Sequence, residues 1–141
     1  MAEVILSNRM QALTDMVTPG TVITDVGCDH GFVSVYLVQK GISPRAIAMD
    51  VRSGPLEHAR EHIREYGLED RIETRLSDGL HSLKTGEAAG MICAGMGGPL
   101  MEKILTEGRE QAKGFRELIL QPQSEIPHFR TFLMEEGYLL M

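Results

Sequence analysis

The chain is 141 residues long, 43% hydrophobic, and carries a formal net charge of −6. That length suits one domain with a core of its own, and the apolar content excludes a disordered chain. The acidic balance argues against a broad nucleic-acid footprint, which needs a basic surface. No apolar run approaches the length of a membrane span, and no basic segment followed by an apolar one marks a secretory leader. A cytoplasmic protein with no membrane partner is expected.

Residues 5–17 read as an amphipathic helix, with Leu6, Met10, Leu13 and Val17 on one face and Ser7 placed to cap it. Pro19-Gly20 ends it. A strand over about 21–26 enters the turn Asp25-Val26-Gly27-Cys28-Asp29-His30-Gly31, and a helix over about 31–40 follows, with Phe32, Val33, Tyr36 and Leu37 at helical spacing. Strand, glycine turn and helix in that order form the first half of a nucleotide-binding βαβ unit, with the N–H groups of the helix opening aimed at the ligand. Gly41 and Pro44 make a loop before a buried strand over about 45–50 that ends in Asp50. A carboxylate at that tip accepts hydrogen bonds from ribose hydroxyls. Ser53-Gly54-Pro55 opens a helix that runs to Tyr66 and stops at Gly67.

A third strand, about 71–76, leads to Asp78-Gly79. A fourth, 91–94, runs into Gly95-Met96-Gly97-Gly98, and the helix after it is expected to bury Leu100, Ile104 and Leu105. A fifth strand, 117–120, ends at Gln121-Pro122-Gln123, and a helix over about 124–136 follows. Residues 138–141 read as the start of another strand, so a C-terminal part is expected to be missing. Strands alternating with helices predict an α/β, Rossmann-like fold: a mostly parallel sheet with helices on both faces, in one domain over residues 1–141.

Ligands of such sheets bind beyond the carboxyl ends of the strands. That edge collects the candidates for cofactor binding: Asp25, Gly27, Cys28, Asp29, Gly31, Asp50, Asp78, Gly79, Gly95, Met96 and Gly97. Gly98, Gln121 and Gln123 lie beside them as candidates for holding an acceptor. Each is also an ordinary turn former. A dinucleotide fingerprint needs close backbone approach to a pyrophosphate, but the middle of this turn is Asp29. A carboxylate repels a pyrophosphate and attracts the sulfonium and ammonium of S-adenosylmethionine. The loop therefore favours S-adenosylmethionine over NAD, and Asp78 fits its adenine amino group. His30 stands either as a cap or in a direct role. His58 and His62 share one helix with no third ligand in view, so no metal is expected. Cys28 and Cys93 read as reduced packing residues and the nine methionines as core fillers.

These segments resemble the bacterial tRNA adenine-22 N1-methyltransferases, a branch of the class I S-adenosylmethionine-dependent methyltransferases. The resemblance rests on Leu6-Ser7-Asn8-Arg9-Met10, Asp25 to Gly31, Ala48-Met49-Asp50-Val51 with Gly54-Pro55-Leu56, Arg75 to Leu80, Ala94 to Gly98, and Leu118 to Gln123. It implies S-adenosylmethionine as methyl donor, with Val51 among the cofactor residues. It implies N1 of a tRNA adenine as acceptor, with Arg9 toward a phosphate or carboxylate. It also implies a helical C-terminal domain, before which this chain ends. Adenine N1 has its own lone pair, so the protein must chiefly align it and offset the charge arriving on the base. Asp29, with His30 beside it, is the candidate for that role. Phe32, Tyr36 and Phe129 are the nearest stacking residues. Two other readings stay open: methylation of a small molecule or protein, and a non-catalytic cofactor-binding module. Oligomeric state is not legible.

Overall fold

A computed structural model describes residues 3–141. Its centre is a five-stranded parallel sheet in the order β3-β2-β1-β4-β5, built from β1 (Ile23–Val26), β2 (Ala46–Asp50), β3 (Ile72–Leu76), β4 (Gly90–Met96) and β5 (Glu117–Pro122). The chain steps outward from β1 to β2 and β3, then returns to the other side of β1 for β4 and β5. Its switch point lies between β1 and β4, where Val26 pairs with Met49 on one side and Cys93 on the other.

Side-chain alternation sorts the two faces. Ile23, Ala46, Ala48, Ile92 and Ile119 face the helices α1 (Asn8–Asp15), α2 (Phe32–Gln39) and α3 (Ser53–Glu65). Val26, Ile47, Met49, Met91 and Cys93 face α4 (Gly98–Glu107) and α6 (Ile126–Glu135). A short α5 (Arg109–Lys113), which the sequence pattern does not show, links α4 to β5. Ser7 caps α1 by accepting from the Met10 N–H. Gly41, Gly67 and Gly137 end α2, α3 and α6 with positive φ, and in each case the next residue's N–H reaches back to the first carbonyl of the last turn.

Four details differ from the sequence reading. Leu100 is 47% exposed, because α4 turns Met101, Ile104 and Leu105 to the sheet instead. Phe129 is 2% exposed in the core beside Leu133 and so is closed to stacking. Residues 138–141 form no strand: the Tyr138 N–H closes the end of α6 on the Leu133 carbonyl, and Tyr138 and Leu140 pack on the core. β4 runs on to Met96 through a bulge at Gly95, whose φ is +80°. Among the described residues no helix is long and apolar enough to cross a membrane.

Candidate active site

The carboxyl ends of β1, β2, β3 and β4 surround a cleft of about 530 Å³. Its floor follows from the β1–α2 turn. Gly27, at φ +77°, lets the chain reverse, and the N–H groups of Gly27 and Cys28 both donate to the Met49 carbonyl at 2.9 Å. A Cβ on Gly27 would overlap the Met96 Cε methyl, so a side chain there would have to push the Met96 side chain aside. The Asp29 N–H donates to Asp50 Oδ2 at 3.1 Å and the Gly31 N–H to the Cys28 carbonyl. These four loop amides are thus committed inside the protein. The turn offers carboxylates to the cleft, not the ring of free N–H groups that a phosphate would need.

Four carboxylates line it: Asp25, Asp29, Asp50 and Asp78. Asp25 is buried and accepts from Ser34 Oγ at 3.2 Å. Burial raises its pKa to about 7; the Ser34 hydrogen bond opposes the shift, and the charges of Asp50 and Asp29 add to it. Asp50, 2% exposed, accepts from the Arg52 N–H at 2.9 Å and lies 3.3 Å from Arg52 Nε. Asp29 is 57% exposed, stands at φ +52°, and lies 3.9 Å from His30 Nε2, within ion-pair range and beyond a hydrogen bond. Asp78 and Gly79 close one end against Leu100 and Ile104. Burial pushes the Cys28 thiol up, and the Cys93 thiol to about 12, so both stay protonated packing groups.

The opposite rim comes from α1 and β5. Gln121 shares a sheet face with Ile119, the face that α1 covers, and Arg9 Nη1 donates to Gln121 Oε1 at 2.8 Å. Arg9 and Gln123 line the cleft across from Gly95, where an added Cβ would still lie 4.0 Å from either side chain. A methyl group at Gly95 would thus be in van der Waals contact with both side chains, so the gap above the bulge is narrow.

The structure therefore gathers Arg9, Asp25, Gly27, Cys28, Asp29, Asp50, Val51, Asp78, Gly79, Gly95, Met96 and Gln123 around one space. His30, Gly31, Gly97, Gly98 and Gln121 are not in its lining. Gly31 is buried where a Cβ would come within 3.0 Å of Ala59 Cβ, so it serves the α2–α3 packing. Gly98 gives its N–H to Ser124, and a Cβ there would lie 2.6 Å from the Ser124 carbonyl oxygen. Gln121 acts through Arg9. Sequence reasoning missed Met10, Leu13, Val33, Arg52 and Ser77 in the lining; Arg52, two residues after the strand-tip acid, was the one with a readable signal. Among the described residues one set of three possible metal ligands converges, Asp78, His81 and Glu107, all exposed.

A methyltransferase-domain family model matches residues 6–141. The chain is 37% identical over its whole length to the tRNA (adenine(22)-N(1))-methyltransferase of Bacillus subtilis and covers 59% of that protein. The crystal structure of the B. subtilis M1A22 tRNA methyltransferase TrmK superposes with a TM-score of 0.94 over 99% of this chain and 59% of that one. M. capricolum TrmK, solved with the cofactor product S-adenosyl-homocysteine, is 27% identical, with a TM-score of 0.87 over 96% of this chain and 60% of that one. The chain thus spans about three fifths of the length of these relatives.

Proposed function

The chain belongs to the methyltransferase-domain family, and from that premise we propose that it transfers a methyl group from S-adenosylmethionine to N1 of an adenine in tRNA, at the position its B. subtilis relative is named for. The observation that carries the reading is the cleft itself. Carboxylates converge on a glycine-built floor whose amides are already bonded, which suits a cationic ligand and not a phosphate. Asp50 retains acceptor capacity for ribose hydroxyls, since a carboxylate offers about four lone-pair sites and three donors reach it here. Cytoplasmic tRNA is the matching acceptor pool.

When bound, S-adenosylmethionine supplies the methyl group and a neutral thioether leaving group. The work left to the protein is alignment and charge. Asp25, Asp29 and Asp50 favour a cation in the cleft. Asp29, the most exposed of these three, is placed to face the base as its N1 lone pair takes the methyl and the base becomes positive. His30 Nε2 stands 3.9 Å from that carboxylate, beyond a hydrogen bond. Arg9, held by Gln121, and Gln123 supply donors on the acceptor side of the gap at Gly95.

The test is to incubate the chain with S-adenosylmethionine and unmodified tRNA, digest, and locate methylated bases by mass spectrometry. One 1-methyladenosine at a single position is expected. A methylated small molecule or protein with no methylated tRNA would give the reaction to another acceptor.

A further inference from the structure

Three histidines that the proposed reaction does not use as a set come together beside the cleft. His30 follows Asp29 in the β1–α2 turn, while His58 and His62 stand one turn apart on α3. The His30 and His58 rings stack nearly parallel, 5.2 Å apart and inclined by 6°. Phe32 stacks on His62 at 4.3 Å, and His30 lies 6.1 Å from Phe32 and 5.9 Å from His62. His62 Nδ1 lies 2.8 Å from the His30 carbonyl oxygen. A carbonyl only accepts, so His62 carries its proton on Nδ1, and its ring is pinned to the turn.

The rings thus form two stacked pairs, His30 with His58 and Phe32 with His62, with His30 tilted 52° to His62. The cluster is not a packed core: His30 is 46% exposed and His58 is exposed as well. It adjoins the cleft at Asp29. Arg52, with a side chain 65% exposed, stands at the start of α3 and lines the cleft. Exposed planar rings beside a cleft are what unpaired nucleobases stack on, because every base has a π-face.

We propose that His30, Phe32, His58 and His62 form a stacking shelf for an unpaired RNA base that neighbours the target adenine. The inference rests on the tRNA reading above and adds to it a site for the acceptor. Exposing an adenine within folded tRNA unstacks its neighbours at a cost of a few kcal/mol. A shelf beside the cleft offsets part of that cost by giving a displaced neighbour a new stack. His58, exposed on α3 and outside the cleft lining, is the residue to vary.

The experiment compares wild type, His58→Leu, which keeps apolar bulk without a π-face, and His58→Phe, which keeps the face. tRNA affinity is read by fluorescence anisotropy, methylation by single turnover, and S-adenosylmethionine affinity by calorimetry. His58→Leu is expected to weaken tRNA binding about 5- to 150-fold, the range for losing one stacked base, with cofactor affinity unchanged and His58→Phe close to wild type. If wild type methylates tRNA and His58→Leu binds it equally well, or if His58→Phe fails to rescue, the shelf is refuted while the tRNA reading stands. If wild type binds the cofactor but methylates no tRNA, the reading beneath it fails, and the shelf with it.

Discussion

The contact between Gly27 and Met96 separates what the turn does for folding from what it does for the cleft. Gly27→Ala puts a Cβ at φ +77° and against the Met96 Cε methyl. The backbone part costs about 1–2 kcal/mol, the penalty for an ordinary residue in the left-handed region. With an unfolding entropy of about 2.1 cal/mol/K per residue over the 141 residues, that lowers Tm by about 3–7 °C. Gly41→Ala supplies the control: its φ is +72° and no atom lies within 4 Å of an added Cβ, at the opposite end of α2. The two variants should therefore lose similar stability in thermal melts. They should part in calorimetry. Met96 is the flexible partner and must swing, and its side chain lines the cleft, so Gly27→Ala should bind S-adenosylmethionine at least about tenfold more weakly, about 1.4 kcal/mol. Gly41→Ala should bind as wild type does. Equal affinity in the two variants would refute the role given to this contact.

Asp25, with its pKa raised to about 7 in the folded protein from an ordinary 3.8, makes folding less favourable as pH rises from about 4 through 7, because the native state holds the proton that the unfolded chain has released. Asp25→Asn should flatten the decline of Tm across that window, and a variant with the wild-type slope would show that another group sets it. The Arg75 hydrogen bond holds Glu87 down at about 2, so its contribution is present above about 4.5 and lost as pH falls toward 2, a window that meets the Asp25 window only at its acid edge. Asp29→Asn should slow single-turnover methylation about 10²–10³-fold with little change in cofactor affinity. Asparagine tolerates the φ of +52° at that position, so the loop should persist. A wild-type rate at saturating cofactor would remove Asp29 from the chemistry.

The five strands are legible because each is a short stretch, apolar in β2 and β4 and mixed with polar residues in β1, β3 and β5, that is followed by turn residues, and three of the helix ends are legible because Gly41, Gly67 and Gly137 mark them. α5 is not: among its five residues only Ala112 is buried, which leaves no period to read. The cleft was largely legible because a parallel sheet brings all its strand tips to one edge. Which tip residues face the space depends on three-dimensional neighbours. Gly31 and Gly98 look like their neighbours in sequence, yet Ala59 and Ser124 press against them from elements 28 and 26 residues away. The His30, His58 and His62 cluster escaped for the same reason. Spacing along α3 shows only the pair, and the third ring arrives through the packing of α3 against the turn.

The net charge of −6 looks adverse to an RNA substrate only if it is spread over the surface. Four of the carboxylates line the cleft, and Asp25 among them is partly protonated near neutral pH. Of the others, Glu3 pairs with Lys40, Glu57 with Arg60, Glu73 and Glu87 with Arg75, and Glu136 with Arg109. Part of the negative charge therefore lines the cleft, where it suits a cationic ligand, and much of the rest is paired with neighbouring cations. Such a surface adds little general attraction for a polyanion. On the proposed reaction, recognition would fall to a few placed groups at the mouth: Arg9 fixed by Gln121, Arg52 beside Asp50, and the rings of the β1–α2 turn and α3. The acidity that counts against a nonspecific nucleic-acid binder is the same acidity that builds the cofactor cleft.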